Sequence, residues 1–255
     1  MPKPQHRDLA VIRTELISPN MRRLTVGGTH LEGFPENQES AYVKLLFPSG
    51  AEKPIMRTYT IRNHRPYCNE LDIDFMLHGD SGPASRWAAT AQVGDRIQIA
   101  GPGGLKLIDF TADWFFMAGD MTSLPAISVN MERMPSNAAG YVVIEVLDER
   151  DIQELKAPPG IDLRWVVNPQ PGIASGVLVD AVTALPWLAG RPSIWAACEF
   201  ESMRLLRRYF KYERSVGKPN LYVSSYWKHG VSEDRHKSIK SQDAKTEESV
   251  NIQAS

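Results

Sequence analysis

Two arginines flank a short alternating run, Arg57-Thr58-Tyr59-Thr60-Ile61-Arg62, with Pro54 before it and the basic loop Asn63-His64-Arg65-Pro66 after it. As a strand, this run lays Tyr59 against a ring system and sends Arg57 and Arg62 toward phosphates. Arginine suits that task because its planar, permanently charged fork meets phosphate oxygens in pairs. The stretch His78-Gly79-Asp80-Ser81-Gly82-Pro83-Ala84-Ser85-Arg86-Trp87-Ala88 follows a strand-like run, Leu71–Leu77, and reads as a glycine-containing turn that opens a helix. Free amides at such a turn make a seat for an anion. Either stretch alone is equally well an ordinary strand or helix start; in this order and this close together they point to a dinucleotide pyrophosphate.

Residues 8–108 supply the first positioning elements. Leu9–Ile17, Met21–Val26, Ala41–Phe47, Arg57–Arg62, Leu71–Leu77 and Arg96–Gly101 read as short strands divided by turns such as Ser18-Pro19-Asn20 and Pro48-Ser49-Gly50, with one helix from about Pro83 to Gln92. Many short strands with a single late helix suggest a small closed antiparallel barrel. From about residue 112 the pattern changes to apolar runs that read as strands buried on both faces: Trp114–Gly119, Gly140–Leu147, Asp162–Val167, Pro192–Cys198 and Leu221–Trp227. Helical stretches alternate with them, to about Met134, around Val177–Leu185 and over Glu201–Arg214. That alternation predicts parallel pairing in a Rossmann-like α/β domain over 112–230. The polar segment 231–255 is expected to be disordered or a solvated helix.

Ligands of an open parallel sheet sit at the carboxyl ends of its strands. Three loops qualify here: Gly119–Ala126, Asp148-Glu149-Arg150-Asp151, and Ala196-Ala197-Cys198-Glu199. Three acids against one arginine in the second loop lean toward NADH over NADPH, because acidic residues there bind a ribose hydroxyl and disfavour a 2′-phosphate. Cys198 reads as a buried small hydrophobe rather than a redox thiol. Arg204, Arg207 and Arg208 read as a solvated helix face, with a cofactor phosphate as the alternative for one of them.

Composition bounds these readings. The chain has 255 residues, 42% hydrophobic and 23% charged, with a formal net charge of −1. That is an ordinary globular composition and argues against a general nucleic-acid binder. No apolar run approaches the roughly 18 residues of a membrane span, and Met1–Asp8 lacks the apolar core of a signal peptide. Cys68 and Cys198 are the only cysteines, and the six histidines are scattered, so no metal site is expected. A cytoplasmic protein, expected as a monomer, fits.

Arg57-x-Tyr59-Thr60-Ile61-Arg62 followed by His78-Gly79-x-x-Gly82-Pro83-Ala84-Ser85-x-Trp87-Ala88 resembles the FAD-binding signature of the siderophore-interacting proteins, flavin ferric-siderophore reductases of the ferredoxin–NADP reductase superfamily. The resemblance extends over roughly residues 8–235. It implies a six-stranded Greek-key barrel for FAD over 8–108, followed by the NAD(P)H-binding domain over 112–230. It also implies that Tyr59 and Thr60 hold the flavin ring, and that Arg57, His78, Gly82, Ala84 and Ser85 hold its ribityl and phosphate portions. Gly119-Asp120-Met121-Thr122 resembles a family segment that approaches nicotinamide and flavin, with Met121 where the family carries Glu. Glu199 stands in a segment placed beside the nicotinamide. Tyr226-Trp227 resembles the C-terminal segment that folds over the flavin. Lys44 matches a substrate-pocket lysine; a second pocket base is replaced by Gly103, and Lys106 or Lys228 is expected to substitute. The implied activity is electron transfer from NAD(P)H through FAD to siderophore-bound Fe(III). A flavin reductase serving a protein acceptor and a non-catalytic siderophore-binding protein are the rival readings.

Overall fold

The computed structural model describes residues 6–50, 52–77, 82–174 and 176–253. Its first half is an antiparallel sheet of seven strands: β1 (His6–Ser18), β2 (Met21–Gly27), β3 (Tyr42–Phe47), β4 (Ile55–Thr60), β5 (Asn63–Arg65), β6 (Glu70–Met76) and β7 (Arg96–Ala100). They pair in the order β4-β3-β7-β1-β2-β6-β5. The expected count of six strands needs correcting to seven. The polar segment 63–65, read from sequence as a loop, pairs with β6 as a seventh strand, Asn63 opposite Asp72 and Arg65 opposite Glu70. No ladder joins the end strands β4 and β5 among the described residues; Ile61 and Arg62 link them covalently, and the Arg62 amide donates to the Asp72 carbonyl at 2.9 Å. Inward-facing residues of the strands, including Leu9, Leu24, Val43, Leu45, Ile73, Phe75 and Ile99, form the core of this half at 0% exposure. Helix α1 (Pro83–Thr90) closes one end. Ala84 and Ala88 pack inward, and Trp87 sets its ring edge-on to Phe47 and Phe75 at 5.9 and 5.8 Å.

The second half is a five-stranded parallel sheet of β8 (Trp114–Asp120), β9 (Ala139–Val146), β10 (Gly160–Val167), β11 (Pro192–Glu199) and β12 (Leu221–Trp227), in the order β10-β9-β8-β11-β12. Helices α2 (Leu124–Arg133), α3 (Gly176–Thr183) and α4 (Phe200–Arg208) make the crossovers, and α4 runs on through one π turn, Tyr209–Glu213. The strands were legible because both faces are covered: β8 is buried at all seven positions. The chain leaves the sheet centre in opposite directions from β8 and β11, so the crevice between their carboxyl ends is the topological switch point. Gly119 permits the close approach there, since a Cβ would lie 2.7 Å from the Ala197 carbonyl.

Polar contacts join the halves. The Asp151 carboxylate, fully buried, accepts from Ser18 Oγ at 2.7 Å, the Asn20 amide at 2.9 Å and Asn20 Nδ2 at 2.8 Å. Arg133 reaches Glu39 at 2.7 Å. Met21 of β2 belongs to the apolar core that β8, β9 and α2 build.

The C-terminal segment also departs from expectation. It forms a helix, α5 (Glu233–Gln253), that is docked rather than solvated. His236 is buried, bonded to Ser225 Oγ at 2.8 Å and edge-on to Phe200. Asp243 takes a two-pronged bond from Arg207, and Glu247 pairs with Lys211 at 2.6 Å. The docked helix thereby covers β12, the strand at one edge of the parallel sheet. No helix among the described residues is long and apolar enough to cross a membrane.

Candidate functional site

Two sets of residues converge between the halves. In the antiparallel half, β4 carries Arg57, Tyr59 and Thr60, and α1 is preceded by its N-cap Gly82, whose φ of 92° turns the chain in a way that favours glycine. No side-chain bond caps the start of α1, and Pro83 occupies its first position; a helix N-terminus is the kind of place that seats an anion. His78, which belongs to the same expected turn, lies outside the described residues. Tyr59 is half-buried, with its ring 4.4 Å from that of Phe75. Burial, and then the nearby Glu233 carboxylate, push its phenol up, with Arg57 opposing. Ile61 is a core residue at 0% exposure, so only its backbone is available to a ligand.

The two arginines of the motif part company. Arg57 keeps loose ion pairs with Glu233 and Asp234 at the start of α5, each 3.7 Å away, while Thr58 Oγ1 bonds Glu233 at 3.1 Å. Arg62 instead makes a two-pronged pair with Glu132 on α2, at 2.5 and 3.1 Å, and so bridges the two halves rather than joining Arg57.

On the sheet side, Asp120 ties three strand ends together. Its carboxylate accepts from the Glu199 amide at 2.9 Å, from Trp227 Nε1 at 2.8 Å, and from the amide and hydroxyl of Thr122 at 2.9 and 2.5 Å. Burial pushes this carboxyl up and the donors hold it back. Glu199 is the N-cap of α4, accepting from the amides of Glu201 and Ser202, and its other oxygen accepts from the His229 amide at 3.1 Å. Its carboxylate is thus fully used by the chain. Gly172, at a φ of 81°, lets the loop after β10 press against this layer; a Cβ there would lie 2.7 Å from His229 Cβ and 3.3 Å from Glu199 Cγ. Tyr226 sets its ring edge-on to Trp195 at 6.3 Å. A cavity of about 10 Å³ is lined by Met76, Asp120, Met121, Glu145, Asn168, Pro171 and Trp227, among others. Met76, the last residue of β6, is the antiparallel half's contribution to this lining, so the end of β6 reaches the switch crevice.

The loop expected to discriminate NADH from NADPH does not present three free acids. Asp151 is the interdomain tether already described, and Asp148 is held by Arg150 through two bonds at 2.8 and 2.9 Å. Arg150 holds the Asp148 carboxyl down at about 2. Arg207 is likewise no solvated residue, being committed to Asp243. Cys198 is buried and its thiol is pushed well up by burial, then by Asp120, Glu145 and Glu199, which makes it inert.

Among the expected substrate lysines, Lys44 is half-buried on β3 opposite Thr58. The Lys106 ammonium stands 5.8 Å from the centre of the Tyr222 ring, and its carbonyl is fixed by Ser40, Asn130 and Trp195. Lys228 is spent on Glu201 at 2.6 Å. A lysine that sequence reasoning missed takes the better position: Lys240 of α5 donates to Ser224 Oγ and the Ser225 carbonyl, and its ammonium is pushed down by burial and then by Lys106. Lys44, Lys106 and Lys240 form no ion pair among the described residues. No cluster of metal-ligating side chains occurs among those residues either.

A dinucleotide-type switch crevice in a parallel sheet beside an antiparallel sheet that carries an arginine-tyrosine strand defines a two-domain flavin-reductase architecture. The family comparisons agree with it over both halves. Residues 112–230 match the model of the siderophore-interacting protein, and residues 10–53 and 48–106 match that of the siderophore-interacting FAD-binding domain. The chain belongs to the siderophore-interacting protein family. It is 37% identical over 250 residues to the ferric vibriobactin reductase ViuB of Vibrio cholerae, covering 90% of this chain and 92% of that one. It is 29% identical over 202 residues to the ferric acinetobactin reductase of Acinetobacter baumannii, covering 78% and 70%. The crystal structure of the siderophore-interacting protein SipS from Aeromonas hydrophila superposes with a TM-score of 0.87 at 34% identity, covering 96% of this chain and all of that one.

Proposed function

We propose that the chain passes reducing equivalents from a reduced nicotinamide dinucleotide through FAD to Fe(III) held by a siderophore, which is then released as Fe(II). The observation that supports this reading is the meeting of Met76, Asp120 and Trp227 around one cavity, which brings the end of β6 in the antiparallel half to the switch crevice of the parallel sheet. FAD, when bound, supplies the exchange between two-electron and one-electron transfer. The residues present fit it. Arg57 and the amides of Gly82, Ala84 and Ser85 would hold the pyrophosphate, Tyr59 and Thr60 the ring, and Trp87 anchors α1 against Phe47 and Phe75. Asp120 and Thr122 shape the nicotinamide side, and Tyr226 and Trp227 close the C-terminal side. Lys44, Lys106 and Lys240 offer positive charge to an anionic ferric complex; Lys240 replaces Lys228 in this role. Fe(II) is the poorer partner for hard oxygen donors, so reduction loosens the metal. In this reading 8–108 is the flavin domain, closing as a Greek-key barrel, 112–230 is the nicotinamide domain, and the protein acts in the cytoplasm as a monomer.

The test is a visible spectrum of the FAD-loaded protein before and after anaerobic addition of NADH, followed by ferric siderophore or ferredoxin. The oxidised-flavin band is expected to bleach with NADH and to return faster with the ferric siderophore. A protein that takes up no FAD overturns the reductase reading; return with ferredoxin alone assigns a protein acceptor.

A further inference from the structure

Glu145 stands out in the sequence of β9. It is a carboxylate in an otherwise apolar buried run, Tyr141-Val142-Val143-Ile144-Glu145-Val146, and its residue is 4% exposed. A charge in such a strand is costly unless paired or neutralised. Its register partner on β8 is Asp120, and both line the cavity at the switch point with Trp227. Asn168 Nδ2 donates to it at 2.9 Å, and the Leu178 amide at the start of α3 donates as well. The charged groups acting on it are Asp120 from β8 and Glu199 from β11; Asn168 after β10, Trp227 of β12 and the inert Cys198 thiol are the uncharged neighbours. Asp120 takes four donors and Glu199 three, whereas Glu145 takes two. Glu145, with the fewest donors and two carboxyl neighbours, is the member placed to carry a proton: burial, with Asp120 and Glu199 adding to it, pushes its carboxyl up to about 7.

The cluster therefore gathers three buried carboxyl groups, with Glu145 the one placed to exchange a proton, at the crevice where an open parallel sheet receives its dinucleotide. The oxidised nicotinamide ring is a cation and the reduced ring is neutral. We infer that Glu145 is a charge-matching residue for the nicotinamide: it stays protonated beside the reduced ring and releases its proton to solvent when the cationic ring binds. The step balances as a binding equilibrium, with protonated enzyme plus NAD+ giving ionised Glu145, bound NAD+ and one proton in the buffer. Preorganised negative charge at this point favours the ring as it becomes positive. This inference rests on the nicotinamide-binding reading above.

The FAD-loaded protein tests it by calorimetric titration with NAD+, NADP+ and 1,4,5,6-tetrahydro-NAD, a neutral ring that donates no hydride, in buffers of different ionisation enthalpy. Proton release on binding of the oxidised dinucleotide is expected near pH 7 and absent at pH 9. Its affinity should rise roughly tenfold from pH 6 to pH 8, while that of the tetrahydro compound stays flat. E145Q should abolish both the proton release and the slope. A carboxyl-¹³C titration of glutamate-labelled wild type gives a readout independent of that variant: one signal titrating near pH 7 that moves acidward on addition of NAD+. Tetrahydro-NAD binding combined with a flat, proton-silent NAD+ titration overturns the inference alone. Binding of none of the three dinucleotides overturns the nicotinamide reading, and the inference with it.

Discussion

In the antiparallel half, Asp72 and Asp74 are buried against arginines. Asp72 takes two bonds from Arg65 at 2.6 Å each, and Asp74 takes two from Arg23 at 2.6 and 2.8 Å. In the parallel half, Asp120, Glu145, Glu199 and Asp151 are just as buried but meet only amides, hydroxyls, an indole and an asparagine. The outcomes diverge accordingly. Burial alone would raise Asp72, yet bonds from Arg65, Thr25 and Asn63 outweigh it and the carboxyl ends up lowered. Glu145 has no cation to offset burial and is raised. Cation-paired carboxylates hold the β5–β6 edge in register. Of those satisfied by neutral donors, Asp120, Glu145 and Glu199 stand together at the carboxyl ends of β8, β9 and β11 with no cation beside them among the described residues.

The largest expected effect breaks the cation-paired side. D72A removes two of the three bonds that hold the Arg65 guanidinium, leaving it Glu70, and takes the partner of Thr25 and Asn63 as well; it should cost about 3 kcal/mol in urea unfolding at pH 7. Because the native carboxyl lies below its ordinary 3.8, the contribution is fully present above that value. It is lost as pH falls through the lower native one, so wild type and D72A should converge in acid. A pH-independent difference would mean that packing, not the ion pair, holds β5.

The neutral-donor side has the opposite sign. With its carboxyl raised from the ordinary 4.5 to about 7, Glu145 gives its full contribution below 4.5 and loses it as pH rises to 7. That loss amounts to about 2–3 kcal/mol. E145Q should therefore be more stable than wild type at pH 8 and show a flatter profile from pH 5 to 8. Parallel curves for the two proteins would show that the cluster does not hold the proton.

The same contrast explains what was legible in the sequence. Strands β8 and β9 announce themselves by apolar runs because both faces are covered. Strand β5 does not: Asn63, His64 and Arg65 have no strand-like pattern, and the pairing is supplied by β6 and its acids. Helix α5 lacks an apolar stripe, so it reads as solvated, although Asp243 and Glu247 dock it by charge. Within the candidate site, Arg57, Tyr59 and the Gly82–Ser85 segment stand out in the sequence because residue type and spacing are visible there. Whether Arg62 meets a phosphate or Glu132, and whether Lys228 or Lys240 is free of acids, depends on which elements of the other half lie opposite. Glu145 did leave a signal, a lone acid in a buried apolar strand, and it was passed over because no motif includes it.

His236 sharpens the comparison from the side of a base, with the smallest expected effect. It is buried under α5 against Ser225 and Phe200, with Lys240, Lys228 and Lys237 around it. Burial first, and those ammonium groups next, push it down to about 4. The neutral imidazole is the docked form, so its contribution is whole above the ordinary 6.5 and is lost as pH falls toward 4. Only α5 depends on this residue, so the change should be local, about 1 kcal/mol, and should leave global unfolding nearly unmoved. Amide hydrogen exchange over 233–247, corrected for the intrinsic pH dependence, should show protection falling between pH 6.5 and 5 in wild type. In H236F, which keeps a ring against Phe200 without a titrating nitrogen, protection should stay level. Equal loss in both proteins would assign the acid sensitivity to the Arg207–Asp243 and Lys211–Glu247 pairs instead, making α5 an element held by cation-paired acids like the β5–β6 edge.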